Sequence, residues 1–193
     1  MTSDAEKLRL ARKRQANARG NGGTLPEYCV IDLETTGLSA ADAQIIEMAA
    51  ILVRDGDICD TFSRMISISC PIPEEVVRLT GLNNESLERE GVPIEQALPG
   101  FLGFITDHPL IGFNISFDVA FLKTACARIN VAFPRVKTVD VLELARRKVV
   151  GLSSMKLECL AEYYKIAPYT PHRAMNDCLA THQIYIKLCD QSE

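Results

Sequence analysis

Val30-Ile31-Asp32-Leu33-Glu34-Thr35-Thr36-Gly37 is the stretch on which the fold turns. Its apolar residues mark a short buried strand, yet two carboxylates sit in it two positions apart. Successive side chains of a strand face opposite ways, so Asp32 and Glu34 share one face while Ile31 and Leu33 take the other. Two like charges on one buried face are costly unless a cation lies between them. Acids at the end of a strand also simply solvate a following loop, so the pair by itself leaves both readings open.

Outward from this strand, which spans Tyr28 to Leu33, a second apolar run covers Ile45 to Val53. Asp55-Gly56 closes it with a hairpin signal, and a third strand follows over Ile58 to Ile68. From Glu74 the period becomes helical, over Glu74 to Leu79, Ile94 to Ile105, Phe117 to Ile129, Val141 to Lys148, Met155 to Tyr164 and Arg173 to Leu188. Short apolar runs at Pro109 to Phe113 and Val136 to Val139 read as further strands. A strand meander followed by alternating helices and strands implies an α/β domain, a mixed sheet covered by helices on both faces.

Two more segments carry candidate chemistry. In Ile111-Gly112-Phe113-Asn114-Ile115-Ser116-Phe117-Asp118 a strand leads into a helix; Asn114 or Ser116 is placed to cap it, and Asp118 falls in or near the first turn. An acid there also serves merely to offset the helix dipole. In His172-Arg173-Ala174-Met175-Asn176-Asp177, a loop flanked by Pro168 and Pro171 delivers a histidine ahead of the last helix. Such a histidine is a candidate general base, because its ordinary pKa lets it accept a proton near neutrality. A surface histidine with a capping role is the plainer alternative.

In order and spacing the three segments resemble the DEDDh 3′-to-5′ exonucleases, the DnaQ-like family that includes the proofreading epsilon subunit of bacterial DNA polymerase III, ribonuclease T and oligoribonuclease. The motifs stand here as D-L-E-T-T-G-L from Asp32, F-N-I-S-F-D from Phe113 and H-R-A-M-N-D from His172, and Thr80-Gly81-Leu82 looks like the family's T-G turn. The resemblance runs from about Tyr28 to Leu188. It implies an RNase H-like mixed sheet, a three-strand antiparallel meander plus parallel strands, flanked by helices. It also implies that Asp32, Glu34, Asp118 and Asp177 converge on two divalent cations, with His172 as the base. Four carboxylates facing a phosphodiester would repel it, so hard cations with oxygen ligands, Mg²⁺ or Mn²⁺, suit the set. The sister branch of the family places a tyrosine where Arg173 stands, which favours the histidine branch. By the same resemblance Thr35, Thr36, Leu38 and Asn114 contact the terminal nucleotide, and Phe117 either joins them or is core.

The expected function is therefore release of nucleoside monophosphates from the 3′ end of single-stranded DNA, in proofreading or repair, with a DNA polymerase as a possible partner. Thr35 favours that branch, because oligoribonuclease relatives carry methionine there. Trimming of RNA ends is the alternative, since metal and phosphate contacts do not read the sugar. A silent module that only binds nucleic acid or a polymerase is the second alternative, although such a module has no need to cluster like charges. The chain stops at Glu193 directly after the last helix, so an enzyme that stands alone or docks weakly is expected rather than a tethered holoenzyme subunit.

Bulk properties bound the rest. The 193 residues, 47% of them hydrophobic, suit one compact domain. No apolar run is long enough to span a bilayer and no secretion signal is present, so a cytoplasmic protein without membrane contact is expected. Seven cysteines without a C-x-x-C pair read as reduced thiols. The net charge of -4 is uneven: residues 1–24 carry six Lys or Arg against two acids, and the remainder carries fifteen against twenty-three. Residues 1–25 are accordingly expected to form a basic flexible arm, and 26–193 the exonuclease domain. His108, His182 and the cysteines are assigned structural or solvent roles.

Overall fold

In a computed structural model of the chain, residues 23–191 are described, and the expected arm at residues 1–25 falls almost wholly outside them. Three antiparallel strands come first: β1 (Glu27–Thr35), β2 (Ile45–Arg54) and β3 (Asp57–Met65). Asp55 and Gly56, between β2 and β3, both have positive φ, at 52° and 88°. Two left-handed residues in a two-residue connection twist the chain in the sense that antiparallel strands need, which is why Asp-Gly marks hairpins.

Three helices cross from the meander: α1 (Glu74–Thr80), α2 (Asn84–Glu90) and α3 (Ile94–Ile105). Then β4 (Leu110–Gly112), α4 (Ile115–Arg128), β5 (Thr138–Asp140) and α5 (Val141–Lys148) alternate, before α6 (Leu157–Tyr163) and the long α7 (Ala174–Asp190). The sheet order is β3-β2-β1-β4-β5, with β4 parallel to β1 and β5 parallel to β4. The mixed sheet expected from the sequence is thus present, with β1 at its centre.

Alternation along β1 sorts the molecule into two layers. Cys29, Ile31 and Leu33 join Met48, Ala50 and Leu52 of β2 in a core beneath α3 and α4. Tyr28 and Val30 join Ala49, Ile51 and Val53 in a second core beneath α5, α6 and α7. Asp32 and Glu34 continue the Tyr28–Val30 face, so the strand aims its carboxylates toward the α7 side.

Two local expectations change. The third strand ends at Met65 rather than Ile68; Ile66 still donates its N–H to the Ile46 carbonyl but also forms an isolated bridge with Val92. Helix α2 was not expected, since Asn-Glu-Ser-Leu-Glu-Arg-Glu has one apolar residue and hence no period to detect. It is held by buried Leu87 and by a capping box in which Asn83 and Ser86 satisfy each other's backbone N–H groups.

Candidate active site

The C-terminal ends of β1 and β4 and the N-terminal ends of α4 and α7 meet at one edge of the sheet. Carboxylate oxygens of Asp32, Glu34 and Asp177 lie there within 4.8 Å of one another. Asp118, in the first turn of α4 and 3% exposed, stands beside Asp32 without joining that tight group. Four acids of three separate segments are thus brought to one place.

Their environment keeps them from ionising freely. Burial pushes Asp32 well above the ordinary carboxylate range, and the charges of Asp118, Asp177, Glu34 and Glu47 add to the effect. Glu34 is raised to about 8, first by burial, then by Asp177 and Glu47, against the lowering influence of Arg173. Asp118 is raised by burial although the backbone N–H of Leu33 stabilises its anion. Asp177 is raised by burial and held back by hydrogen bonds from the Tyr169 hydroxyl and the His172 N–H. Desolvation and mutual repulsion of this kind are what a bound cation relieves.

His172 sits half-buried at the rim of the cluster with φ +62°, a conformation that costs a non-glycine residue energy. Anchors on either side enforce it. Before it, the Tyr169 hydroxyl donates to Oδ1 of Asp177 at 2.8 Å; the His172 N–H itself donates to Oδ2 of the same carboxylate at 3.3 Å. After it, Arg173 donates from Nε and Nη2 to Glu47, the closest contact being 2.7 Å, and the Ala174 N–H donates to Glu47 Oε2 at 3.0 Å. Glu47 is 2% exposed and lies opposite Glu34 in the β1–β2 register. The loop that carries the histidine is therefore fastened both to Asp177 and to the strand next to Glu34.

Glu47, Arg173 and Tyr169 were given no part in the site by the sequence. Glu47 had a visible signal, a lone acid in Ile45-Ile46-Glu47-Met48-Ala49-Ala50, where each neighbour is apolar. Arg173 drew notice only as the position of a tyrosine in the sister branch, and Tyr169 only as part of a proline-flanked loop.

The residues expected to touch substrate surround the cluster. Leu38 is 91% exposed just beyond β1, free to pack against something else. Thr35 Oγ1 donates to the Gly37 carbonyl at 2.7 Å, and Thr36 Oγ1 accepts the Gln44 N–H at 2.9 Å, so both hydroxyls shape the loop after β1. Asn114 occupies the N-cap position of α4, but in the left-handed conformation and without a side-chain capping bond. Its N–H donates to Asp140 Oδ1 at 3.0 Å, and its exposed side chain accepts a hydrogen bond from the Ser116 hydroxyl at 3.4 Å. Phe117 is half-buried and stacks on Phe121 with centroids 4.8 Å apart, so one side of its ring belongs to the core. His182, by contrast, is buried with Nδ1 3.1 Å from the Tyr28 hydroxyl, a contact that ties α7 to β1.

The fold is RNase H-like. It superposes on Escherichia coli exonuclease I bound to a dT13 oligonucleotide with a TM-score of 0.78, at 17% identity over 86% of this chain and 42% of that one. It superposes on exonuclease X bound to 5′ overhanging duplex DNA with a TM-score of 0.66, at 24% identity over 86% and 92%. At such identities the likeness is one of fold. The chain belongs to the exonuclease family named for RNase T, whose pattern matches residues 29–185. It is 32% identical to the DNA polymerase III subunit epsilon of Aquifex aeolicus over 164 residues, covering 85% of this chain and 81% of that subunit. It is 35% identical over 165 residues to the PolC-type DNA polymerase III of Caldanaerobacter subterraneus, and there spans 12% of the relative's length. Among the described residues no helix is long and apolar enough to cross a membrane.

Proposed function

We propose that this chain hydrolyses single-stranded DNA one nucleotide at a time from the 3′ end, with Asp32, Glu34, Asp118 and Asp177 as cation ligands and His172 as general base. The observation that carries this is the convergence of Asp32, Glu34 and Asp177, with Asp118 beside them, in a setting that raises every one of the four. The donor set contains only carboxylate oxygens and no thiolate or imidazole. It fits hard cations such as Mg²⁺ or Mn²⁺ and not a soft metal. A pair of such ions supplies acidification of the attacking water and charge stabilisation at the leaving 3′ oxygen.

The remaining work falls to the protein. His172, fixed at the rim by Tyr169 and Arg173, takes a proton from the attacking water. The new bond forms between the water oxygen and phosphorus; the bond from phosphorus to the preceding 3′ oxygen breaks, and that oxygen takes up a proton from solvent while His172 later returns its own to solvent. Thr35 and Thr36 shape the loop that receives the terminal nucleotide, Leu38 packs against its base, and Asn114 and Phe117 border it. Kinship to the epsilon subunit favours DNA and a role beside a polymerase.

Digestion of matched single-stranded DNA and RNA, labelled at either end, in Mg²⁺, Mn²⁺ or EDTA tests this. The expected result is metal-dependent shortening from the 3′ end, faster on DNA and abolished by Asp118→Ala. Endonucleolytic products, shortening from the 5′ end, or full activity in EDTA would refute it; faster RNA trimming would redirect the substrate.

A further inference from the structure

Beside α4 an open groove of about 550 Å³ separates that helix from the irregular segment leading into β5. Lys123 lines it from α4, and Phe133, Arg135 and Lys137 line it from the segment, with Val119 and Val136 among the apolar walls. It holds three cations and no acid, in a chain whose net charge is -4. The ion pairs formed among the described residues lie elsewhere, so all three positive charges are exposed and uncompensated there.

The groove shares two elements with the candidate active site. Val119 directly follows Asp118, and Lys123 comes five residues on, about 7 to 8 Å along the axis and roughly 140° around it at 1.5 Å and about 100° per residue, so the groove opens on a flank of α4 away from the Asp118 face. At its other wall Lys137 is fixed to the sheet by its carbonyl, which accepts the Leu110 N–H at 2.8 Å. The strand it enters, β5, ends at Asp140, the carboxylate that holds Asn114 at the start of α4. Arg135, Val136 and Lys137 all line the groove from this segment.

We infer that this groove carries the sugar-phosphate backbone of the single strand upstream of its 3′ end, Lys123, Arg135 and Lys137 meeting successive phosphates and half-buried Phe133 offering a face to a base. The inference rests on the exonuclease reading above for the position of the 3′ end. Charge complementarity selects the occupant: the body of the protein is acidic, the substrate is a polyanion, and a cationic groove with an aromatic wall is how single strands are held without regard to sequence.

The test compares the full chain with its Lys123→Ala/Arg135→Ala/Lys137→Ala variant, all three positions being exposed. Binding of a fluorescent 20-nucleotide strand is followed by anisotropy across a salt series, in an Asp118→Ala background with Mg²⁺. Hydrolysis of the p-nitrophenyl ester of thymidine 5′-monophosphate, too short to reach the groove, is measured with Asp118 intact. The triple substitution is expected to weaken strand binding at least tenfold at low salt. It is also expected to flatten the log–log salt slope by about 2, because each phosphate left without its cation removes about 0.7. Ester hydrolysis should be unchanged. Unaltered strand affinity and slope, or an equal fall in ester hydrolysis, would overturn the groove. Loss of binding in a protein that hydrolyses nothing would uphold the groove and refute the nuclease reading instead.

Discussion

The two faces of β1 are built from one alternating stretch and do opposite things. Cys29, Ile31 and Leu33 enter a close-packed apolar layer; on the other face Tyr28 and Val30 do the same for two positions before Asp32 and Glu34 take over. The first face gains from excluding water along its whole length. The second gains from burial only until its acids begin, and from there desolvation and repulsion work against the fold. A strand that accepts such a cost at one end of one face is being kept for something other than its own stability.

Substitutions on the acid face should therefore separate activity from stability. Asp32→Ala should reduce hydrolysis by more than the roughly 10²- to 10⁴-fold expected for one general base, while the ion-free protein melts no lower than wild type. Single-turnover assays beside a thermal melt read both, and a variant as active as wild type would remove Asp32 from the site. His172→Ala should cost about 10²- to 10⁴-fold in kcat with ion affinity little altered, as isothermal titration with Mn²⁺ would reveal. Collapse of ion binding would make His172 a ligand and not a base.

On the apolar face the order reverses. Ile31→Ala, at a position 1% exposed, should destabilise the fold by about 2 to 5 kcal/mol in denaturant melts, with residual activity in the folded fraction unaffected at its ligands. A loss smaller than that of a surface substitution would mean that the layer beneath α3 and α4 is not packed as described.

The smallest effect concerns pH. Glu34 is raised in the folded chain from 4.5 to about 8, so the folded form holds its proton more tightly than the unfolded one. The ion-free protein should then be relatively most stable below 4.5 and lose that contribution as pH rises to about 8. Asp32, Asp118 and Asp177 shift in the same direction. In EDTA, Glu34→Gln should flatten the decline in melting temperature between pH 5 and pH 8; an unchanged decline would assign it to other groups.

Much of this contrast could be read in the residues themselves. Apolar runs gave the meander, side-chain alternation gave the shared face of Asp32 and Glu34, and Asp55-Gly56 gave the hairpin. Three spaced motifs located the elements that bring Asp118 and Asp177 to the same edge. What escaped was contact between segments distant in the chain. Nothing in Glu47 or Arg173 alone announces that they pair across 126 positions to pin the His172 loop, and Tyr169 looks like any loop tyrosine until its hydroxyl meets Asp177. Helix α2 escaped for a different reason: a seven-residue helix with one buried leucine leaves no periodic trace, only its capping box.

Divalent cations are the proposed reason for the acid end of β1. Melting temperatures of wild type and Asp32→Asn, stripped with EDTA at pH 8 and then supplied with Mg²⁺ or Mn²⁺, test it without any substrate. The melting temperature of wild type should rise clearly with either ion, and that of the variant should start higher and barely respond. Equal responses in the two proteins, or none in wild type, would contradict it.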